Sequence, residues 1–342
     1  MKKILTVLIP VYNTEKYIKR CLDSVLLKEV ANDIEVLVVS DGSKDNSVNI
    51  VKKYLKEYPN TLKLVEKENG GHGSTINKGI ELAAGKYFKV LDSDDWFNCV
   101  DFIKFVQRLK KEDADLVVTN YRQEHIYNQT SIFNEYKNLE ENKEYIFDRF
   151  NLDILNGEYF VMATSTYKLE VLKKSNIHLL EKTAYVDMQY NIEPIINVYN
   201  FVYYNLDIYR YYIGRKDQSV NTASFVRNQD QHEKVMKHLI EYYTSNINKF
   251  SSNKKKYIEI IIGYMLYTHY TIFITYDKNH NSAYRKIKKF DDYLKNSNIE
   301  LYNRINVYGI IKTHRKFNFI FVRINNRLFT KVFNILYRIK QK

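Results

Sequence analysis

The chain has 342 residues, 45% of them hydrophobic and 27% charged, with a formal net charge of +13. That apolar content and length support a sizeable core in two domains, or in one large domain with an appendage, and exclude a disordered chain. Cys21 and Cys99 are the only cysteines, which excludes a disulfide framework or a cysteine-based metal site and fits a reducing cytoplasm.

The opening Met1-Lys2-Lys3 and the mainly apolar residues 4 to 9 imitate a leader peptide. The run is short and ends in Pro10, Tyr12, Asn13 and Glu15, so it predicts a first buried strand instead. Further strands are expected at 34 to 39, 62 to 66, 87 to 91 and 115 to 119, separated by helices at 15 to 28, 44 to 58, 74 to 84 and 98 to 112. This alternation predicts a mostly parallel sheet flanked by helices. The first, second and fourth strands each run into a distinctive loop: Pro10-Val11-Tyr12-Asn13, Ser40-Asp41-Gly42-Ser43 and Asp92-Ser93-Asp94-Asp95. Ligands of open α/β sheets bind at the carboxyl ends of the strands, so the three loops can share one crevice.

The third loop is the most informative. Tyr87-Phe88-Lys89-Val90-Leu91 delivers an apolar strand directly into Asp92, Asp94 and Asp95, a concentration of like charge that calls for a cation. Carboxylates at i and i+2 can converge on one divalent ion, and their hard oxygens suit magnesium or manganese, the companions of a diphosphate. Acidic residues also cap helices, and a helix is expected directly after them. Between the second and fourth strands, Asn69-Gly70-Gly71-His72-Gly73-Ser74 permits close backbone approach to a ligand, with Ser74 suited to cap the helix that follows. A plain turn has the same composition. His72 lacks a second His or Cys at ligand spacing, which argues against zinc.

From 120 to 225 the pattern is mixed, with strands expected at 160 to 167 and 201 to 212 and a helix from 187 to 200 interrupted by Pro194. Beyond 225 it is helical, at 226 to 245, 254 to 275, 281 to 297 and 322 to 340. The charge divides at the same place. Residues 1 to 225 hold 30 Lys+Arg against 32 Asp+Glu, and residues 226 to 342 hold 23 against 8, a net +15. Arg323, Arg327, Lys331, Arg338 and Lys342 recur at helical spacing opposite Leu328, Val332, Ile335, Leu336 and Ile339, a basic amphipathic pattern suited to an anionic membrane surface. A domain helix with its basic face in water gives the same pattern. The most apolar stretch, 258 to 274, carries Glu259 and His269 and is not expected to span a membrane. Nucleic acid is not expected, since no recognition motif accompanies the charge.

Taken together, these motifs resemble the inverting family 2 glycosyltransferases of the GT-A fold, which build capsular, exopolysaccharide and cell-wall glycans in bacteria. The resemblance covers residues 4 to 225 and rests on five elements in the family's order: the strand ending in Pro10-Val11-Tyr12, the Ser40-Asp41-Gly42-Ser43 turn, the glycine loop with Asn69, Gly71 and Asn77, the Asp92-Ser93-Asp94 motif, and Tyr185-Val186-Asp187. It implies a GT-A catalytic domain at 1–225 and a basic, mainly helical domain at 226–342. It further implies that Pro10, Val11, Tyr12, Asp41, Asn69, Gly71, Asn77, Asp92 and Ser93 bind a nucleotide sugar, with Asp41 reading the base. Asp94 and Asp92 would hold Mn2+ or Mg2+, and Asp187 would be the catalytic base. Arg215 and Ser219 follow the last strand, where related enzymes grip the diphosphate, and Trp96 is placed for an acceptor wall.

The implied reaction moves a sugar from a UDP-sugar, with inversion, to a hydroxyl of a surface glycan or lipid-linked acceptor. The implied place is the inner face of the cell membrane, reached through residues 301–342, with room for a homo-oligomer. Three departures, Ser40 for an aspartate, Ile76 for an arginine and Val186 for a glutamate, leave open a second reading: a degenerate domain that binds nucleotide sugar as a scaffold.

Overall fold

The computed structural model describes residues 3–125, 127–214, 218 and 221–323. They divide into two compact units, Met1–Lys216 with Ser251–Lys254, and Asp217–Phe250 with Lys255–Lys342.

In the first unit the chain runs β1 (Leu5–Val11), α1 (Ile18–Val25), β2 (Ile34–Asp41), α2 (Ser47–Glu57), β3 (Leu62–Lys67), α3 (His72–Leu82), β4 (Tyr87–Val90), β5 (Trp96–Phe97), α4 (Cys99–Leu109), β6 (Leu116–His125), β7 (Thr130–Asn134), β8 (Glu144–Ile146), β9 (Ser165–Lys168), α5 (Leu169–Lys174), α6 (Asp187–Ile192) and β10 (Asn200–Ile213). One sheet takes the order β3-β2-β1-β4-β9-β6-β10-β5, with β7 on β6 and β8 on β10. Strands β3, β2, β1 and β4 are mutually parallel, as are β6 and β10, while β9 runs antiparallel between β4 and β6. Every residue of β1 and β2 is buried, as expected for central parallel strands covered on both faces. Pro10 is tolerated there because the β1–β4 ladder ends at Leu8 and Val90. Its missing N–H lies past the last β4 partner.

The periodicity located the first strands and helices well. The strand expected at 160 to 167 shrinks to β9, and the helix expected at 187 to 200 stops at Ile192, with a 3-10 turn over Glu193–Asn197. Pro194 cannot donate to a continuing helix.

The second unit comprises α7 (Thr222–Arg227), α8 (Gln229–Asn246), most of α9 (Ser252–Thr271), α10 (His280–Ser297), α11 (Ile299–Arg304), α12 (Gly309–Lys316) and α13 (Ile320–Arg323). The amphipathic pattern at 322 to 340 lies almost wholly outside the described residues. A π-helical turn, Ile272–Tyr276, extends α9. The stretch Ser252–Tyr276 is long and apolar enough to cross a membrane by length and composition alone, and 61% of its most apolar window is buried within the protein, as in a core helix.

Candidate active site

Three loops meet at the carboxyl ends of the central strands. The loops after β1 and β2 are stitched together by polar contacts: the Asn13 N–H donates to Ser43 Oγ at 3.2 Å, and the Lys44 N–H donates to Asn13 Oδ1 at 2.8 Å. Asn13 adopts φ 52°, a left-handed conformation that asparagine tolerates better than most residues. Pro10 and Val11 are buried behind this turn, and Tyr12 is 51% exposed at its tip.

Asp41, at the end of β2, is almost fully buried, and its carboxylate is committed to the glycine loop. Oδ1 accepts from the Gly70 N–H at 2.8 Å and from Lys67 Nζ at 3.0 Å, and Oδ2 accepts from the Gly71 N–H at 2.8 Å. Asn69 Nδ2 donates to the Asp41 carbonyl at 3.0 Å. Asp41, expected to read a base, therefore first acts as the anchor of this loop. The other side of the loop packs on the segment that leads to Asp187. Gly71 has φ 82°, and a Cβ on Gly73 would stand 2.4 Å from the Leu180 carbonyl oxygen, so neither position accepts a side chain. The Lys182 N–H donates to the Gly70 carbonyl at 2.5 Å.

Asn77 departs from expectation. Its Nδ2 donates to the Leu179 carbonyl at 2.9 Å and its Oδ1 accepts the Leu179 N–H at 2.8 Å. Both ends of the amide grip backbone, so Asn77 positions the 179 to 187 segment rather than presenting itself to a ligand. Gln189 Oε1 adds a bond from the Leu180 N–H at 2.9 Å. Ile76 and Val186, at two positions where the family carries charge, are buried apolar residues here.

The acidic loop is a turn closed by the Asp95 N–H to the Asp92 carbonyl at 2.9 Å. Asp95 turns inward: Oδ2 accepts from the Tyr209 hydroxyl at 2.7 Å and Oδ1 from the Tyr212 N–H at 2.8 Å. Burial, with the charges of Asp94 and Asp92, pushes its carboxyl well above the usual range. Tyr209 also accepts the Asp92 N–H at 3.2 Å. Arg20, on α1, lies 3.6 Å from the centre of the Trp96 ring and 4.4 Å from that of Tyr212, and donates to the Asp94 carbonyl at 2.9 Å. Trp96 and Tyr212 thus hold Arg20 through cation–π contacts, and Arg20 braces the loop through its bond to the Asp94 carbonyl. Ser93 is buried within the turn.

His72, the first residue of α3, reaches across to this loop and donates from Nε2 to Asp92 Oδ1 at 3.0 Å. Burial alone would lower its pKa, but the hydrogen bond and charge of Asp92, together with the charges of Asp187 and Asp94, hold the imidazole above its ordinary value. Asp187, the first residue of α6, feels both His72 and Asp92. Its pKa is raised by burial, the positive His72 opposing this and the negative Asp92 adding to it. His72 is thus bonded to Asp92 and within electrostatic reach of Asp187. Arg215 and Ser219 lie outside the described residues.

The carboxylates of Asp92 and Asp94 are hard oxygen donors of the type a divalent ion takes. Among the described residues, no three His, Cys, Asp or Glu side chains are grouped to hold an ion by themselves, so a ligand's phosphate oxygens and water would complete the shell.

Comparison with known proteins agrees with this arrangement. Residues 6–174 match the family model described as glycosyl transferase family 2. The chain belongs to that family. The glycosyltransferase GlyG of Streptococcus pneumoniae is 35% identical over 122 residues, which make up 35% of this chain and 40% of GlyG. The chain spans less than half the length of GlyG and of similarly matching curated relatives. Among solved structures, Staphylococcus aureus TarS 1–349 in complex with UDP-GlcNAc superposes with a TM-score of 0.64 at 17% identity, over 88% of this chain and 90% of that one. The mannosyltransferase PcManGT of Pyrobaculum calidifontis, in complex with GDP-Man and Mn2+, gives 0.50 at 14% identity over 95% and 87%. The family 2 domain therefore has the GT-A fold, followed by a helical C-terminal part.

Proposed function

We propose that this family 2 protein is an inverting, metal-dependent glycosyltransferase that moves a sugar from a UDP-sugar to a hydroxyl of a surface glycan or its lipid-linked precursor. The observations that support the reading are the His72 bond to Asp92 in the acidic loop and the packing of the glycine loop, from which His72 projects, on the segment leading to Asp187. A metal held by Asp94 and Asp92 would neutralise charge developing on the diphosphate leaving group. The acceptor hydroxyl is a weak nucleophile, and Asp187 takes its proton as the new bond forms at the anomeric carbon. Partial burial and the nearby Asp92 raise its basicity, which suits that role. Direct displacement inverts the anomeric centre. Tyr12, Asn69 and Gly71 form the wall against the nucleotide, backed by the buried Pro10, Val11 and Ser93, and Asp41 reaches the base with the one lone pair that its loop bonds leave on Oδ2. Arg215 and Ser219 would supply groups that grip the diphosphate.

The scaffold reading remains the second one, motivated by Ser40, Ile76 and Val186. The test is UDP release by the purified chain across UDP-glucose, UDP-galactose, UDP-GlcNAc and UDP-GalNAc, with manganese and with chelator. Metal-dependent release from one donor, lost in Asp94→Ala, supports the enzyme. Nucleotide binding without release from any donor, even with candidate acceptors, supports the scaffold.

A further inference from the structure

A cleft of about 180 Å³ opens in the first unit between the loop that follows β7 and the 3-10 turn Leu152–Leu155. None of its lining residues belongs to the three strand-end loops of the candidate active site. Buried Tyr136 and Leu155 form its floor, and Glu135, Lys137, Asn156 and Glu158 stand around its mouth. Its walls are fixed by bonds to backbone: Asn138 Nδ2 donates to the Ile154 carbonyl at 3.1 Å, and the Tyr136 hydroxyl donates to the Tyr159 carbonyl at 3.0 Å. Beyond the 3-10 turn, Asn156 takes φ 49° and Gly157 φ 80°, and the Glu158 N–H closes the bend on the Leu155 carbonyl at 2.8 Å. Asparagine and glycine are the residues that reach such left-handed backbone most readily. The polar rim is uncommitted by contrast. Among the described residues, no hydrogen bond or ion pair engages the side chain of Glu135, Lys137, Asn156 or Glu158. A braced cleft ringed by unengaged polar groups has the form of a ligand site.

We propose that this cleft holds a neutral, non-reacting sugar residue of the acceptor glycan, an assignment that rests on the reading of the protein as a transferase acting on glycans. Charge excludes the simplest alternatives. Two carboxylates repel an anion, and with the Lys137 ammonium beside them they are too few to hold a metal ion by themselves. The hydrogen-bonding inventory then selects a polyhydroxylated ligand. The carboxylates of Glu135 and Glu158 accept, the Lys137 ammonium donates, and the Asn156 amide does both, while each ring hydroxyl of a sugar is at once a donor and an acceptor. Tyr136 and Leu155 beneath them offer apolar surface to the C–H face of the ring, and the volume is of the order of one hexose. Position supports the acceptor in particular. Tyr159, whose carbonyl accepts the Tyr136 hydroxyl, donates its own hydroxyl to Met188 Sδ at 3.8 Å. Met188 directly follows Asp187. The floor of the cleft is thereby joined to the segment that carries the proposed base.

The test is saturation-transfer NMR of the full chain with the methyl β-glycosides of glucose, galactose and N-acetylglucosamine, with UDP and manganese present to occupy the nucleotide crevice. At least one glycoside should receive saturation. Glu158→Ala and Lys137→Ala should each weaken its binding about tenfold or more, as expected when a hydrogen bond to a charged group is lost. Their melting temperatures should match that of the unaltered chain, because neither side chain has a partner to lose. Binding of equal strength in both variants would place the sugar elsewhere and overturn the proposal, as would no transfer to any of the three glycosides by the unaltered chain. The two readings fail separately. Glycoside binding through Glu158 and Lys137 in a chain that releases no UDP from any donor upholds the cleft and counts against the transfer chemistry, whereas UDP release without glycoside binding overturns the cleft alone.

Discussion

In the α/β unit, Asp92, Asp94 and Asp95 crowd into one turn, and the structure spends Tyr209, Tyr212, Arg20 and His72 to hold them there. In the helical unit the pattern is reversed. His232 and His269 stack with Nδ1 atoms 3.1 Å apart, buried and neutral, while the surplus lysines and arginines lie mainly outside. Burial lowers both imidazoles, His232 to about 4. Concentrated, perturbed like charge in a turn marks a candidate functional site.

Breaking the acidic loop should have the largest effect. Asp94→Ala is expected to lower metal-dependent UDP release by at least about a thousandfold, as befits loss of several kcal/mol of Lewis-acid stabilisation, and to remove manganese-dependent nucleotide binding in calorimetry. His72→Ala should come next, with a roughly tenfold or greater fall in kcat and little change in donor KM. His72→Gln, which can place an N–H near the position of Nε2, should recover part of that loss; equal rates in both variants would reduce the Asp92 link to a structural detail.

Smaller effects test the framework. Asn77→Ala strands the Leu179 N–H and carbonyl, at a cost of about 1–3 kcal/mol per buried group left unmet, and should appear as a lowered melting temperature with donor affinity little changed. In the helical unit the imidazole pair gives a pH signature. Because both folded-state pKa values are depressed, its contribution is present above the unfolded value near 6.5 and is lost as pH falls toward 4 and below. Melting between pH 7 and 4.5 should show that loss, and a His232→Leu/His269→Leu double variant should flatten it.

The same contrast explains what the sequence could reveal. Strands β1 to β4 and their helices follow from short apolar runs and turn residues, and the carboxylates of the site stand in recognisable local order. The edge strands β5, β7 and β8 are two to five residues long and carry no alternation to detect. The braces were hidden for a different reason: Arg20 meets the acidic loop across 74 residues, Asn77 meets Leu179 across 102, and Tyr209 meets Asp92 across 117. Such roles are created only when the sheet closes. Asp41 shows the limit most clearly, since its motif position suggested a ligand contact while the fold gives most of its lone pairs to Gly70, Gly71 and Lys67.

The most direct test of the central claim is Asp187→Asn, measured for UDP binding by calorimetry and for UDP release with the productive donor and acceptor. The account predicts unchanged binding with kcat lowered by about 10² to 10⁴, the range for removal of a general base. Turnover equal to that of the unaltered chain would contradict it and remove Asp187 from the chemistry.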